Sequence, residues 1–265
     1  EKAGLVKRKE PDADIESCYD RFRNRLMFPL KDIHGDIIGF AGRLIAEENG
    51  PKYLNSPETV LYKKGNSLFG LNQAREAIRK ENSVLLVEGY FDQIRAWQHG
   101  IKNVVATCGT ALTASQVSLL KNHTLNVVLV FDADPAGKAA TERGYDLLLE
   151  QGMNVRVLAL PEGHDPDSYI HEQGAEPFLK LVEQAASFME YFIDKTVRGG
   201  NIATGAGRVD VVNIVMPLLG AIKNSVERSE LVKYLSEQVG VEDKALLAEL
   251  RKNLNQKRSS LQVST

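Results

Sequence analysis

Short apolar runs rich in β-branched residues alternate with helical segments between residues 83 and 160. The runs are SVLLV (83–87), NVVAT (103–107), NVVLVF (126–131) and NVRVLAL (154–160), and each of the first three precedes a stretch with helical periodicity. Such alternation builds βαβ units, which give a parallel sheet with right-handed crossovers. Strands that are apolar at nearly every position fit a sheet covered on both faces. The sequence therefore predicts an α/β domain at about residues 82–170.

A β-rich segment is predicted ahead of this domain, at residues 1–81. Residues 20–45 contain two apolar-rich runs joined around His-Gly-Asp at 34–36, which is typical of a β-hairpin. Gly39 and Gly42 within the second run indicate bends. We therefore expect a small β-rich subdomain that contains a hairpin.

Irregular and helical segments complete the organisation. Residues 47–67 contain Asn-Gly-Pro and Ser-Pro without a sustained period, so we expect a long irregular loop, of a kind that is usually functional or disordered. A short helix is expected at residues 71–80. From about residue 176 the periodicity is helical, which predicts a C-terminal helical bundle within residues 171–265. The fold class is thus α/β in the central domain and α+β overall.

Composition narrows the class of protein. A chain of 265 residues that is 43% hydrophobic and 26% charged is typical of a globular protein of one or two domains. A net charge of −2 excludes a wholly basic nucleic-acid coat, although it is compatible with a local basic patch. Cys18 and Cys108 are isolated, so we expect neither a disulfide framework nor a zinc site, and an intracellular location.

The longest apolar stretch and the first residue add two expectations. Residues 211–222 are too few to span a bilayer, so we expect no contact with a membrane. The chain begins with Glu1, and we expect it to be a piece of a longer protein.

Carboxylates follow three of the four predicted strands. Glu88 comes directly after the first strand, Asp132 and Asp134 after the third, and Asp165 and Asp167 just beyond the fourth. In open α/β sheets the functional groups collect at the carboxyl edge of the strands. We therefore expect these acids to meet on one edge of the sheet.

Acids that meet in this way repel one another. Two unit charges about 4 Å apart cost about 4 kcal/mol at an effective dielectric constant of 20. The cluster must take up protons, remain dispersed or hold a cation. Oxygen ligands without histidine or cysteine suit Mg²⁺, which also uses substrate phosphates as ligands. Glu88 is therefore interpreted as a metal ligand or acid–base group at a phosphate site.

Three alternatives compete with this interpretation. Each acid can instead cap the following helix or interact with its dipole. A calcium-binding EF-hand loop starting at Asp132 is excluded by Ala136 and Arg143, where that loop needs an acid or amide and a glutamate. The Asp-x-Asp pair at Asp132 and Asp134 also resembles that of haloacid-dehalogenase-type phosphatases, but Ala136 replaces their Thr or Val, and a strand bearing Glu88 comes earlier.

Arg21, Arg23 and Arg25 alternate with uncharged residues. In an extended segment, alternate side chains point to one side, so this spacing predicts a ridge of guanidinium groups. Such a ridge suits phosphate binding with salt-dependent affinity. The competing interpretation is a solvated strand face.

The predicted irregular loop combines cations with an aromatic ring. It contains Lys52, Tyr53 and Asn55, followed by Lys63 and Lys64. A stacking ring beside cations suits a flexible single strand or an incoming nucleotide. The sequence alone does not separate the role of Lys63 from that of Lys64.

The segment after the second predicted strand turns into a helix. Gly109 is expected as a turn residue, with a structural role and a place near phosphates both open. Thr113, followed three residues later by Gln116, fits a capping box.

The stretches VEGYFD, ATCGTALT, FDADPAG and DPD, in this order, resemble the Toprim domain of bacterial DnaG-type primases. Ahead of them, YDRFRNRLMFPLKD, GFAGR, PKYLNSPET and KKGNSLFGL resemble the catalytic core of the same family. The resemblance covers about residues 1–200 closely and the remainder loosely. It implies an end of the N-terminal core lobe at 1–81, a Toprim domain at 82–170 and a helical bundle at 171–265.

This resemblance implies a DNA-directed RNA polymerase: a nucleotidyltransferase that makes short RNA primers from ribonucleoside triphosphates on single-stranded DNA during replication. It implies Mg²⁺ as cofactor, with Mn²⁺ able to substitute. It assigns Lys52 and Lys64 to DNA or nucleotide phosphates. It makes Glu88, Asp132 and Asp134 the catalytic, metal-binding acids, supported at the metal by Asp92, Asp165 and Asp167.

The resemblance also implies partners and a location. Neither a zinc-binding domain nor a helicase-interaction domain is visible, so we expect contacts with the replicative helicase and with a zinc-binding domain through parts missing from this chain. Guanine-nucleotide alarmones are a further expected ligand, and the bacterial cytoplasm, at the replisome, is the expected location. The alternatives are a catalytically incomplete module that binds nucleotides and single-stranded DNA, or another Toprim enzyme.

Overall fold

The computed structural model divides the chain into two compact units, Glu1–Ala185 and Ala186–Thr265. The side chains of Phe131 and residues 253–262 are not described. The residues whose structure is described are 3–8, 18–45, 50–109, 111–131, 144–145, 147–222 and 224–262.

The first unit opens with two small antiparallel sheets. Strand β1 (Val6–Arg8) pairs with β2 (Cys18–Asp20). Strands β3 (Arg25–Lys31), β4 (Ile37–Leu44) and β5 (Tyr53–Asn55) form a three-stranded sheet in that order. The pairing of β3 with β4 confirms the predicted hairpin.

The hairpin turn is organised by Asp32. Its carboxylate Oδ1 accepts hydrogen bonds from the backbone N–H groups of His34, Gly35 and Asp36, at 2.9, 2.9 and 3.0 Å. Gly35 has a φ of +100°, which side chains rarely adopt. An aspartate with a glycine three residues later therefore reverses the chain here, and both residue types are common in turns.

The predicted irregular loop is partly regular. Strand β5 lies within it and pairs with β4, and Lys64–Asn66 form a turn of 3₁₀ helix. Helix α1 (Leu71–Glu81) follows, which confirms the helix predicted at residues 71–80.

A parallel sheet forms the centre of the first unit. Its strands are β6 (Val84–Val87), β7 (Val104–Ala106), β8 (Asn126–Phe131) and β9 (Asn154–Ala159), hydrogen-bonded in the order β9-β8-β6-β7. All three pairings are parallel, as the sequence predicts. The carboxyl ends of these strands therefore share one edge.

Helices alternate with the strands of this sheet and follow the last of them. They are α2 (Tyr90–Gln98), α3 (Ala114–Lys121), α4 with described residues 144–145 and 147–150, α5 (Pro166–Gln173) and α6 (Ala175–Glu183). One core cluster joins Leu85 and Val128 of the sheet to Ala96 of α2, Ile170 of α5 and Phe178 of α6. Burying a large apolar side chain such as Leu85, Ile170 or Phe178 contributes about 1.5–3 kcal/mol.

The second unit is helical. It contains the two-residue strand β10 (Ala186–Ser187) and helices α7 (Phe188–Gly199), α8 (Gly205–Ala221), α9 (Ser225–Val239) and α10 (Asp243–Gln262). Its fully buried side chains include Ile193, Val215, Leu219 and Leu235. In the part of the chain that the structure describes, no helix has the length and apolar character needed to cross a bilayer.

Candidate functional site

Glu88 lies where β6 reaches the carboxyl edge of the sheet. The Cys108 N–H donates to the Glu88 carbonyl oxygen at 2.8 Å, and the Thr107 N–H donates to that of Val87 at 3.2 Å. These bonds continue the β6–β7 pairing beyond the strand ends. The half-buried Glu88 is therefore held at the edge by its own backbone.

Asp92 ties two helix starts together. It is buried in the first turn of α2, where its Oδ2 accepts from the Gly89 N–H at 2.8 Å. Its Oδ1 accepts from the Asp167 N–H at the start of α5, at 3.3 Å. A Cβ at position 89 would lie 2.8 Å from Asp92 Oδ2, so this close approach requires the glycine.

The acids that begin α5 also have local partners. Asp165 is the N-cap of α5 and accepts from the Ser168 N–H at 2.7 Å and from its hydroxyl at 2.6 Å. Asp167 accepts from Arg95 Nε of α2 at 2.6 Å. The capping alternative is therefore correct for Asp165. An ionised carboxylate has about four lone-pair directions, so a cap does not by itself exclude metal ligation.

Asp132 and Asp134 lie outside the described residues. Strand β8, which directly precedes them in the sequence, lies between β6 and β9 in the sheet. Within the part that is described, no group of three or more His, Cys, Asp or Glu side chains is arranged to hold a metal ion. The full acidic cluster stays a prediction.

The guanidinium ridge is not formed as predicted. Asn24 has a φ of +52°, and β3 begins only at Arg25, so the segment is not extended. Arg21 Nη2 donates to the Asn55 carbonyl at 3.1 Å, and Arg25 Nη1 donates to the Gly42 carbonyl at 3.1 Å. The expectation of an extended segment was therefore wrong: Asn24 turns the backbone, and the guanidiniums of Arg21 and Arg25 bond to backbone carbonyls of other strands.

Arg23 differs from its two neighbours. It is exposed, and its guanidinium carbon lies 5.1 Å from the centre of the Tyr19 ring. A cation over an aromatic face keeps its hydrogen-bond donors available at the edge of the group.

Arg43 is a candidate binding residue that sequence reasoning missed. Its guanidinium carbon lies 4.3 Å from the Phe91 ring centre and 5.7 Å from that of Tyr53, and its Nη1 donates to the Tyr53 hydroxyl at 3.2 Å. Burial raises the pKa of Tyr53, while Arg43 opposes that shift. The sequence feature that could have indicated this residue is a single arginine in the otherwise uncharged strand β4.

Asn55 connects the β-rich part of this unit to α2. The Tyr90 hydroxyl donates to Asn55 Oδ1 at 2.9 Å. Tyr90 is buried and stacks on Phe28 at 5.3 Å, and burial raises its pKa strongly. Part of the role of Asn55 is therefore to hold β5 against the helix that follows Glu88.

Lys63 and Lys64 differ in their surroundings. Lys64 Nζ donates to the Gly109 carbonyl at 3.0 Å, in the segment that follows β7 at the carboxyl edge. Lys63 and Lys52 are exposed. Lys64 is therefore the lysine of this pair that lies beside the edge carrying Glu88.

Comparisons with known proteins agree with this architecture. Three family models match: the N-terminal domain of the DNA primase catalytic core over residues 1–75, a Toprim-like domain over 85–170, and the DnaB-helicase binding domain of primase over 189–244. A parallel sheet with an acid after β6 and the Toprim-like match together define a Toprim protein. The third match lies inside the chain, so the expectation that the helicase-binding part is missing is wrong.

Relatives identify the family. The DNA primase of Clostridium acetobutylicum is 40% identical over 244 residues, covering 92% of this chain and 40% of that protein. The DNA primase of Halalkalibacterium halodurans is 37% identical over 263 residues, covering 99% of this chain and 43% of that protein. The chain belongs to the bacterial DnaG-type DNA primase family, and it spans about 40% of the length of these relatives.

Solved structures agree. A DNA primase domain from Pseudomonas aeruginosa is 37% identical with a TM-score of 0.80, covering 94% of this chain and 77% of that one. A DnaG primase catalytic domain bound to single-stranded DNA is 34% identical, also with a TM-score of 0.80, covering 92% of this chain and 76% of that one.

Proposed function

We propose that this chain is the catalytic part of a primase, which synthesises short RNA primers on a single-stranded DNA template. The observation that carries the proposal is the acidic edge: Glu88 directly after β6, with the starts of α2 and α5 tied together through Asp92. Membership in the DNA primase family supports the same activity.

The proposed reaction is nucleotidyl transfer. The 3′-oxygen of one ribonucleotide bonds to the α-phosphorus of an incoming ribonucleoside triphosphate, the bond to the β-phosphate bridging oxygen breaks, and pyrophosphate leaves. The hydroxyl proton passes to solvent or to a carboxylate of the edge. Negative charge grows on the attacking and leaving oxygens, and it must be neutralised.

The donor set of the edge fits a hard divalent cation, because its side-chain ligands are all carboxylate oxygens. Glu88, Asp132 and Asp134 would hold Mg²⁺ or Mn²⁺, with Asp92, Asp165 and Asp167 in support. The bound ion would neutralise charge on the reacting phosphate oxygens. The Gly89 and Cys108 backbone bonds keep Asp92 and Glu88 at the edge where that charge develops.

Basic and aromatic groups would hold the nucleic acid. Exposure favours Arg23, Lys52, Tyr53 and Lys63 as direct contacts, and Lys64 is favoured by its place beside the edge. Tyr53 offers a stacking face, and the guanidinium of Arg43 beside it supplies positive charge. For Arg21 and Arg25 we propose that they shape the surface, because both guanidiniums bond to backbone carbonyls.

Two partners follow from the same assignment. The replicative helicase would contact helices within residues 189–244, the segment that matches the helicase-binding model. Guanine-nucleotide alarmones would compete with ribonucleoside triphosphates, since both present a ribose that carries phosphate groups. The working location would be the replisome in the bacterial cytoplasm.

Primer synthesis from labelled ribonucleotides on single-stranded DNA tests the function. We expect product from the unmodified chain with Mg²⁺, and a loss of about 10²–10³-fold in Asp132→Asn and Glu88→Gln, since each removes a carboxylate that would hold the cation acting on the transition state. Asp210→Asn, an exposed acid of α8, is the matched control and should keep full activity. Nucleotide binding without product from the unmodified chain would instead support the binding module.

A further inference from the structure

We propose that Thr113 and Gln116, at the start of α3, are positioning residues that hold Lys64 beside the acidic edge. The inference rests on the proposed role of Lys64 in binding phosphates. It is carried by a set of hydrogen bonds between the start of α3 and the 3₁₀ turn Lys64–Asn66.

The side-chain amide of Gln116 bonds both to the start of α3 and to the segment of the 3₁₀ turn. It is fully buried, and its Oε1 accepts from the Thr113 N–H at 3.0 Å, as in a capping box. Its Nε2 donates to the Ser67 carbonyl at 2.8 Å and to the Lys64 carbonyl at 3.5 Å. A capping box needs only the oxygen, so the two donated bonds serve the turn rather than the helix.

The hydroxyl of Thr113 likewise bonds both to the start of α3 and to the 3₁₀ turn. Its hydroxyl accepts from the Gln116 N–H at 3.1 Å and donates to the Gly65 carbonyl. A Cβ at Gly65 would lie 3.2 Å from the Thr113 methyl group, so the turn packs closely against the helix start. The carbonyls of Lys64, Gly65 and Ser67 thus all accept bonds from the capping box.

Lys64 is thereby held at both ends. Its carbonyl accepts from Gln116, and its Nζ donates to the Gly109 carbonyl at 3.0 Å. Gly109 follows Cys108, whose N–H bonds to the Glu88 carbonyl at 2.8 Å. One hydrogen-bonded chain therefore leads from the cap of α3 through Lys64 to the residue that begins the acidic edge.

In this arrangement the capping box of α3 also pre-organises Lys64 for binding a phosphate. A lysine side chain has about 2 kcal/mol of rotamer entropy to lose when it binds a phosphate. Fixing its backbone and orienting its ammonium group beforehand reduces that loss, so binding is stronger than for a mobile lysine. Removing the clamp should therefore weaken the contact made by Lys64 without touching the lysine itself.

The test is the salt dependence of binding to a fluorescein-labelled oligothymidylate, measured by fluorescence anisotropy on the whole chain. One lost phosphate contact lowers the slope of log affinity against log salt by about 0.7 for a single strand. We expect this change in Lys64→Met and a part of it in Gln116→Met. The double variant should bind within about twofold of Lys64→Met alone, because coupled residues are not additive.

Two further variants separate positioning from folding. Thr113→Ser keeps the hydroxyl and should retain the original slope. Thr113→Val loses the hydroxyl and should reproduce the effect of Gln116→Met. If Gln116→Met does not fold, Thr113→Val takes its place in the double-mutant cycle. Ser187→Ala removes an equivalent capping box from α7 and should lower the melting temperature while leaving the slope unchanged.

The outcomes are distinct. A normal slope in folded Gln116→Met and Thr113→Val, beside an altered slope in Lys64→Met, overturns the positioning role and leaves the proposed function intact. Additive effects in the double variant overturn it as well. A normal slope in Lys64→Met removes the proposed binding role of that lysine, and the positioning role falls with it.

Discussion

Glycine 89 illustrates how single residues constrain the acidic edge. Its φ of −105° is open to any residue, so backbone freedom does not explain it. The constraint is space, because Asp92 Oδ2 occupies the position where a Cβ would be. The Glu-Gly pair after β6 therefore reflects a carboxylate folded back onto its own helix start.

Gly89→Ala should consequently push the Asp92 carboxylate away and break its bond to the residue 89 N–H. We expect a loss of about 1.5–3 kcal/mol in unfolding free energy, the range for a hydrogen bond to a charged group, measured by urea denaturation. Gly205→Ala, at the start of α8 where no atom lies within 4 Å, should be neutral or slightly stabilising. Equal stability of the two variants would contradict the steric argument.

Cys108 provides a pH-dependent prediction. Burial raises the pKa of its thiol well above the ordinary value. Because the thiolate is the reactive form, labelling by Ellman's reagent at pH 8 should be much slower in the folded Cys18→Ser variant than in the same variant in guanidinium chloride. Labelling of the folded protein should begin at a higher pH than that of the unfolded chain. Equal rates in the two states would show that the folded protein does not protect the thiol.

At the scale of elements, helices α2 and α5 are bound to each other at two places. Asp92 of α2 accepts from α5, and Asp167 of α5 accepts from Arg95 of α2. The sequence predicted that Asp167 lies just beyond the fourth strand, but it gave no sign of its partner Arg95, because the two residues lie 72 positions apart along the chain. Long-range pairs of this kind leave no local pattern.

The Arg95–Asp167 pair should couple the two helices energetically. A double-mutant cycle of Arg95→Met and Asp167→Asn should give a coupling free energy of about 0.5–1 kcal/mol, since both side chains are about a quarter exposed, at 28% and 27%. The exposed pair Lys180–Glu176 within α6 is the control and should give only about 0.3 kcal/mol. A vanishing coupling for Arg95–Asp167 would mean that the contact does not join the helices.

Local patterns predicted most elements and failed where tertiary contacts decide. Apolar runs located β6 to β9, and the His-Gly-Asp turn at residues 34–36 located the hairpin, because both signals are local. The prediction of an extended segment around Arg23 was wrong, because Asn24 has a positive φ and because the carbonyl acceptors of Arg21 and Arg25 lie on strands distant in the sequence. The second role of Gln116 was missed for the same reason.

At the scale of the whole molecule, the order of parts was predictable and the helicase-binding match was not. The apolar stripes of the helices in residues 189–244 do not indicate which partner they bind, so only comparison with the family identified that segment. Sequence reasoning grouped Glu88, Asp132, Asp134, Asp165 and Asp167 because they follow strands that lie in one parallel sheet. Whether Asp132 and Asp134 join Glu88 stays a prediction.

The central claim is that Glu88, Asp132 and Asp134 jointly bind a divalent cation. Anomalous diffraction from crystals grown with Mn²⁺, collected at the manganese edge, tests it most directly. We predict a peak within about 2–2.5 Å of the Glu88 carboxylate and of at least one of the two aspartates, and none in Glu88→Gln crystals grown in the same way. Diffraction from the unmodified protein with these three carboxylates apart and no peak among them would contradict the account.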